Sequence, residues 1–210
     1  MTKNSLKVSE TFVGLQGEGR YCGMPMLFIR LSGCTRHCPW CDSKYHVDGK
    51  YISIDALVKT ILKSNMTVCI TGGEPLLQAE MVHRLVWAVR NKHSFAQFHL
   101  ETNGDKLTLM DFDIFDYIAI SPKNPLVAKR VNTFRVGNRV VRSDVKVVTD
   151  LHKVGLSMIK HASMLMPLTV ENEVFNHMIR RRVWEFCIKE KINYSPRLHI
   201  EVFGRNKRGV

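Results

Sequence analysis

Short apolar runs alternate with amphipathic segments along most of this chain. Strands that alternate with helices predict a parallel sheet with right-handed crossovers. Six strands are too few to close an eight-stranded barrel, so the predicted fold is α/β, a partial (open) parallel β/α barrel of about six strands. The six predicted strands are residues 26–31, 67–70, 98–100, 117–120, 144–148 and 162–166.

Three amphipathic helices are predicted from apolar spacing, the first with Ser53 as its N-cap. Residues 125–143 show weak periodicity, and we expect an irregular insertion or a small strand pair there. The inward residues expected in the first helix are Ile54, Leu57, Val58, Ile61 and Leu62. Those expected in the second are Met81, Val82, Leu85, Val86 and Val89. Those expected in the long helix over 171–189 are Val174, Phe175, Met178, Ile179, Val183 and Phe186.

The composition suits one domain, because 210 residues that are 45% hydrophobic can bury a single substantial core. We therefore expect one domain over residues 1–210. No apolar run is long enough to span a bilayer, and residues 1–5 lack the apolar stretch of a signal peptide. The expected location is the cytoplasm, where thiols stay reduced, with no membrane partner.

The net charge of +12 raises the question of an anionic partner. Basic clusters at 180–182 and 205–208 could bind nucleic-acid phosphates or line a pocket for anionic ligands. The first cluster lies late in a predicted helix, where cations complement the helix dipole, and this favours a solvated face. A nucleic-acid partner is accordingly not expected.

Three cysteines form one short C-x3-C-x2-C run at Cys34, Cys38 and Cys41. Three thiolates can hold three irons of a [4Fe–4S] cluster and leave the fourth iron free to chelate a small molecule. A Cys3His zinc site would need His37, whose place directly before Cys38 makes a tetrahedral arrangement awkward.

The remaining cysteines are Cys22, Cys69 and Cys187, and they are predicted to be buried small hydrophobes. Cys22 is a conceivable fourth cluster ligand because it lies close to the run in sequence. A disulfide framework is disfavoured, because the clustered run contains an odd number of cysteines.

A Gly72-Gly73-Glu74-Pro75 turn follows the second predicted strand, downstream of the cysteine run. Together these two motifs resemble the radical S-adenosylmethionine (SAM) superfamily, in which SAM chelates the open iron. The resemblance implies a [4Fe–4S] cluster on Cys34, Cys38 and Cys41, and SAM as the second cofactor. It implies SAM contacts at Trp40, Cys41, Asp42, Gly73, Ser121, Pro122 and Lys123.

Further motifs are similar to the 7-carboxy-7-deazaguanine synthase family, at residues 10–19, 23–25, 28–34, 38–43, 101–104, 121–123 and 206–210. The resemblance implies ring contraction of 6-carboxy-5,6,7,8-tetrahydropterin with loss of ammonia, after hydrogen abstraction from C6 of this small-molecule pterin. It also implies an external one-electron donor of the flavodoxin type, a homodimer, and a role in 7-deazapurine synthesis such as that of queuosine.

The same resemblance implies a magnesium ion at Ser43, as the third cofactor. Arg30 lies in an apolar strand, where the carboxylate of the substrate or an internal salt bridge could balance its charge. The family often has Gln-Pro where this chain has Met166-Pro167, so a SAM contact there would come from the backbone. The implied substrate contacts are Leu15, Gln16, Gly17, Glu18, Arg30, Thr71, His199 and Val210.

Two other functions are compatible with the cysteine run. A radical SAM activase would install a glycyl radical on a partner enzyme and would need a docking surface instead of a pterin pocket. A basic iron–sulfur or zinc module for nucleic acid would bind in a salt-sensitive way and would not cleave SAM. The glycine-rich turn argues against the second alternative.

Overall fold

In the computed structural model, the described residues are 4–41, 43, 47–136, 143–205 and 207–210, with the backbone alone for 134–136. Within these ranges nine strands form one sheet in the order β3-β1-β2-β4-β5-β6-β7-β8-β9. The strands are β1 (Ser5–Leu15), β2 (Pro25–Leu31), β3 (Lys50–Ser53), β4 (Val68–Gly72), β5 (Phe98–Thr102), β6 (Tyr117–Ile120), β7 (Ser143–Thr149), β8 (Met164–Pro167) and β9 (Asn193–Tyr194).

The open parallel barrel is confirmed, because β2 and β4 to β8 are the six predicted strands and each pairs in parallel with the next. The sequence prediction missed three strands at the two edges. β1 pairs antiparallel with both β2 and β3, and the two-residue β9 extends the other edge in parallel.

Six helices accompany the sheet in the described ranges, and none of them is long and apolar enough to cross a membrane. Ser53 caps the first as predicted, since the Ala56 amide donates to its Oγ at 3.3 Å. The helices are α1 (Ile54–Ser64), α2 (Ala79–Arg90), α3 (Leu109–Ile114), α4 (Pro125–Val136), α5 (Glu173–Glu190) and α6 (Leu198–Phe203).

The prediction for residues 125–143 was wrong, because α4 occupies Pro125–Val136. Its start carries two helix signals: Asn124 Oδ1 accepts from the Val127 amide at 2.9 Å, and proline occupies the first turn. Ala128 and Val131 bury its inner face. Residues 137–142 lie outside the described ranges.

Two helix faces also differ from expectation. In α1, Leu62 is exposed while the other four predicted residues are buried. In α5, Val174, Phe175 and Met178 point outward, with Val174 exposed to 70%. Asn176 takes the inner face of the first turn instead, because its amide both donates to and accepts from the backbone of Val170. With Asn176 held inside by these two hydrogen bonds, the apolar side chains of that turn face solvent.

The sheet divides the side chains of each strand between two layers, as the period of two requires. Leu27, Ile29 and Leu31 of β2 belong to the main core that the helices cover, whereas Met26 and Phe28 belong to a smaller cluster on the other face. Side chains at every second position of a strand point to the same face. Polar residues two positions beyond these apolar ones therefore also face the interior of the open barrel.

Candidate active site

Two adjoining cavities lie at the carboxyl ends of the parallel strands. The cysteine cavity, about 400 Å³, is lined by Cys34, Cys38 and Cys41 among others. The barrel cavity, about 150 Å³, extends into the open barrel beside β1 and β2. The residues that line both are Glu18, Ser43, Thr71, Gly72 and Glu101.

The cysteine loop is tied to the segment after β5 by a hydrogen-bonded ion pair. Arg36 donates to both carboxylate oxygens of Asp105 at 2.7 Å, and Thr35 Oγ1 donates to the same carboxylate at 2.6 Å. Asn103 Nδ2 donates to Thr35 Oγ1 at 2.9 Å. The hydrogen bonds from Arg36 hold the pKa of Asp105 below its usual value.

The glycine-rich turn after β4 packs directly on the cysteine loop. A Cβ on Gly73 would lie 2.0 Å from the carbonyl oxygen of Gly33 and 3.0 Å from Cβ of Cys34, so only glycine permits this approach. Glu74, fully buried, accepts from Thr102 Oγ1 at 2.7 Å and from the amide of Asn103 at 2.7 Å. Glu74 thus joins the turn to the end of β5.

The donor set of the cysteine cavity suits an iron–sulfur cluster. Each thiolate of a cubane cluster binds a different iron, so the sulfurs need not converge on one point. Among the described side chains, no three His, Cys, Asp or Glu are arranged to hold a single metal ion. Burial raises the pKa of the Cys38 thiol, and nearby Lys123 opposes this effect.

Five of the seven expected SAM contacts line the cysteine cavity: Trp40, Cys41, Gly73, Ser121 and Lys123. Trp40 Nε1 is buried without a hydrogen-bond partner. Pro122 lines neither cavity, and Asp42 lies outside the described residues. Met166 also borders the cysteine cavity.

All the expected substrate contacts line the barrel cavity, and Ser43 joins them. The C-terminal segment closes this cavity over the loop that follows β1, since the Leu198 amide donates to the carbonyl of Gly17 at 2.8 Å. A Cβ on Gly17 would lie 2.2 Å from Nδ1 of His199, so glycine is needed at this contact. The expected contacts are Leu15, Gln16, Gly17, Glu18, Arg30, Thr71, His199 and Val210.

Four residues form a closed hydrogen-bonded ring beside the barrel cavity. Lys146 Nζ donates to Glu18 Oε2 at 2.5 Å and to Glu101 Oε2 at 3.0 Å. Gln16 Nε2 donates to Glu101 Oε1 at 3.3 Å, and the Glu18 amide donates to Gln16 Oε1 at 3.2 Å. The orientation of the Gln16 amide is thereby fixed on both sides.

The two carboxylates of this ring differ electrostatically. Burial favours the neutral form of both, but Lys146, Arg197 and His199 together hold the pKa of Glu18 well below its usual range. Burial prevails at Glu101, whose pKa is raised although Lys146 opposes the shift. The pKa of Lys146 is raised despite its burial, because both carboxylates favour the ammonium.

Arg30 makes an internal salt bridge, one of the two explanations expected for its charge. Its Nε lies 2.7 Å from Glu10 Oε1, and its guanidinium packs 5.8 Å from the centre of the Phe12 ring. Arg30 Nη1 also donates to Ser43 Oγ at 3.3 Å. The other Glu10 oxygen accepts from the Gly209 amide at 3.1 Å, so Glu10 links Arg30 to the C-terminal segment.

Several residues of the site were not predicted individually from the sequence. Lys146, flanked by buried valines in β7, carried the same signal that singled out Arg30: a charge in an apolar strand. Glu101 directly follows a predicted strand, and Arg197 precedes a helix that was not predicted. Cys69 and Cys187 are buried as expected, whereas Cys22 is only partly buried and lines neither cavity.

The profile of the Radical SAM superfamily matches residues 28–178. The 7-carboxy-7-deazaguanine synthase of Pyrobaculum aerophilum is 30% identical over 97% of this chain and 97% of its own. That of Hyperthermus butylicus is 32% identical over 94% of this chain and 92% of its own.

The fold is similar to solved structures as well. Escherichia coli QueE superposes with a TM-score of 0.53 at 18% identity, over 91% of this chain and 93% of that chain. The structure of anSMEcpe with bound AdoMet and the Kp18Cys peptide gives a TM-score of 0.60 at 15% identity, over 78% of this chain and 60% of that chain. By family profile and near full-length similarity, the chain belongs to the 7-carboxy-7-deazaguanine synthase family of the radical SAM superfamily.

Proposed function

We propose that this protein is a radical SAM lyase that converts 6-carboxy-5,6,7,8-tetrahydropterin to 7-carboxy-7-deazaguanine with loss of ammonia. One observation carries the proposal: every expected pterin contact lines the barrel cavity, which shares a wall with the cavity of the three cysteines. A ring bound in the first cavity would lie beside a cofactor bound in the second. Proximity of this kind supplies much of the rate of a two-reactant step.

The cofactors would supply the demanding chemistry: a [4Fe–4S] cluster together with SAM would provide a carbon-centred radical by one-electron cleavage. Cys34, Cys38 and Cys41 would hold the cluster, and Trp40, Gly73, Ser121 and Lys123 suit SAM because they line the same cavity. The chain itself binds, orients and shields the reactants. Pro122 and Asp42 stay in the proposed set on family resemblance alone.

The pterin would be held at its two ends by groups of opposite charge. Glu18 and Glu101 can accept from the N–H groups of the pyrimidine ring, and Gln16 can add one donor and one acceptor. Arg30 can bind the substrate carboxylate, in competition with Glu10, which already accepts its Nε at 2.7 Å. His199, Thr71 and Leu15 would complete the enclosure.

A magnesium ion at Ser43 is part of the proposal. One serine oxygen is a weak ligand for a hard cation, and the Arg30 guanidinium lies 3.3 Å from that oxygen. The ion would therefore need oxygen ligands from the substrate and water. We expect magnesium to tighten pterin binding, and to bind weakly when no pterin is present.

The remaining assignments rest on the composition of the chain, for the domain and the location, and on resemblance, for the homodimer and the electron donor. We propose a single radical SAM domain over residues 1–210, a homodimer, a cytoplasmic location and an external flavodoxin-like one-electron donor. The exposed side chains of α5, including Val174 and Phe175, leave apolar surface for such contacts.

The test is anaerobic reconstitution with iron and sulfide, followed by incubation with SAM, magnesium, reductant and carboxytetrahydropterin. Formation of a product with deazapurine absorbance and the expected mass would support the proposal. Cys38→Ala should abolish product, and turnover in this variant would refute the ligand assignment. Reconstituted protein that cleaves SAM but leaves the pterin unchanged would refute the substrate.

A further inference from the structure

Lys146 is an almost fully buried charged side chain of the site, with 2% of its side chain exposed. It lies in the middle of β7 between the buried residues Val145 and Val147. An ammonium in such a place is costly unless it is paired and hydrogen-bonded. Its two partners, Glu18 and Glu101, come from the loop after β1 and from β5, so one side chain joins three distant parts of the chain.

Lys146 does not line the barrel cavity, whereas Glu18, Glu101 and Gln16 do. It borders the adjoining cysteine cavity and donates to one oxygen of each of the two carboxylates. The other Glu101 oxygen accepts from Gln16, and the other Glu18 oxygen lies 3.4 Å from Arg197 Nε. Because these partners lie between Lys146 and the lining of the barrel cavity in the hydrogen-bonded ring, we expect its effect on a ligand there to act through them.

The charges of this cluster balance only when Lys146 is present. Glu18 and Glu101 bring two negative charges, and Lys146 and Arg197 bring two positive ones, with His199 4.0 Å from Glu18. Without the lysine, two largely buried carboxylates would keep Arg197 as the one other cation counted here. Like charges in a buried site push one carboxyl towards protonation, and a protonated carboxyl is a donor on one of its oxygens.

We propose that Lys146 is a positioning residue that holds Glu18 and Glu101 as a fixed pair of anionic acceptors. The pair selects a ring edge that carries neighbouring N–H donors, such as the ring N–H and exocyclic amine of a 2-amino-4-oxopyrimidine. This inference rests on the proposed function, because it assigns the pterin edge to these carboxylates. It assigns Lys146 no contact with the substrate.

The experiment compares wild type, Lys146→Met and Arg20→Met, each reconstituted with cluster, by equilibrium binding of carboxytetrahydropterin and of SAM. Methionine keeps the length of the side chain and removes the charge. We expect pterin binding to weaken by about 30-fold or more in Lys146→Met, as for other truncated buried charge pairs. SAM affinity should change by less than about threefold, although Lys146 also borders the cysteine cavity.

Arg20→Met is the matched control, because Arg20 donates to Asp144 at 2.8 Å on the same strand as Lys146 but lines neither cavity. It should keep pterin affinity within about threefold of wild type. Equal losses of pterin and SAM affinity in Lys146→Met, or an equal pterin loss in Arg20→Met, would indicate a general structural role and overturn the inference.

An analogue without the exocyclic amine gives an independent readout. Wild type should bind it at least about tenfold more weakly than the amino compound, since a buried acceptor is left unpaired. Lys146→Met should discriminate between the two ligands by less than about threefold. Undiminished discrimination in this variant would overturn the inference.

If Lys146→Met does not fold, Lys146→Arg provides a second test of the positioning role. The forked guanidinium keeps the charge but displaces the carboxylates, so pterin affinity should fall by about tenfold with unchanged SAM affinity. Wild-type pterin affinity in this variant would overturn the positioning role. If wild type itself neither binds nor converts the pterin, the proposed function fails. If wild type turns over normally and substitution of Lys146 does not change pterin affinity, only the inference about Lys146 fails.

Discussion

Arg36 and Asp105 form a two-pronged ion pair, with both N–O distances at 2.7 Å, that joins the cysteine loop to the segment after β5. Arg36 lies between two of the cysteines in sequence, so this pair fixes the loop that would carry the cluster. Paired hydrogen bonds of this kind give directional as well as electrostatic stabilisation.

Asp105→Asn should weaken this anchor without changing the shape of the side chain. We expect the free energy of unfolding to fall by about 1 kcal/mol, since the Arg36 side chain is partly exposed to solvent. The reconstituted variant should also lose iron faster to a chelator than wild type does. Chemical denaturation of the protein without cluster and the rate of iron release measure the two effects.

The pH dependence of that stability difference has a defined sign. The pKa of Asp105 lies below its ordinary value of 3.8, so its stabilising contribution is complete above that value and disappears as pH falls through the native pKa. Glu80→Gln, in an exposed helical pair with Arg84, is the control and should change stability by less than about 0.5 kcal/mol. Equal iron retention in all three proteins would contradict the anchoring role.

Gly17→Ala should disturb the closure of the barrel cavity. The new Cβ would lie 2.2 Å from Nδ1 of His199 and 3.1 Å from its backbone nitrogen, so the C-terminal segment must shift. We expect a loss of about 1–3 kcal/mol in stability, as for other overpacked sites, together with weaker pterin binding. Thermal unfolding and equilibrium binding would measure these changes.

Gly14→Ala is the matched control for Gly17→Ala, because a Cβ there meets only ordinary contacts, the nearest at 3.4 Å from the Phe12 ring. Its stability should stay within about 0.5 kcal/mol of wild type. Similar behaviour of the two alanine variants would show that the approach of His199 to Gly17 is not needed.

Glu74→Gln tests the turn that abuts the cysteine loop. Glu74 accepts from the Leu76 amide, the Thr102 hydroxyl and the Asn103 amide, all of which are donors. A glutamine NH2 would face one of these donors and leave buried hydrogen bonds unmade, so we expect a loss of about 2 kcal/mol. Denaturant unfolding would measure it, and wild-type stability would mean that Glu74 does not join the turn to β5.

The six parallel strands were predictable because their apolar runs are short and bounded by turns. The edge strands were not, since residues 10–15 of β1 alternate between partly buried and exposed and the strand contributes no continuous apolar run. Helix α4 was not predicted because Lys129 and Arg130 interrupt its apolar pattern, although Asn124 and Pro125 are typical of a helix start.

Site residues that belong to local sequence motifs could be predicted. Pairs of residues that are distant in sequence and contact each other only in the folded protein were much harder to predict. The cysteine run and the residues of the loop after β1 could be named from sequence. The pairing of Lys146 with Glu18 and Glu101 spans 128 and 45 residues, and no local pattern specifies it. The inner face of α5 depended on Asn176, a polar residue whose partner, Val170, lies six residues away.

His99 should make the stability of the protein depend on mildly acidic pH. Burial lowers its pKa from 6.5 to about 4, and its Nδ1 has no hydrogen-bond partner beside the rings of Tyr21 and Tyr117. Between pH 6.5 and about 4 the unfolded chain binds a proton at this residue that the native protein does not bind. Stability should therefore fall as pH drops from 6.5 towards 4, by up to about 1.4 kcal/mol per pH unit.

His99→Leu removes this proton-linked contribution and leaves the carboxylates of the barrel in place. Asp116 is the charged group that opposes the shift of His99, and it is retained in the variant. The slope of unfolding free energy against pH should therefore be shallower in His99→Leu than in wild type within this window, and the two slopes should agree above it. Parallel curves across the whole range would mean that His99 is protonated equally in the native and unfolded states.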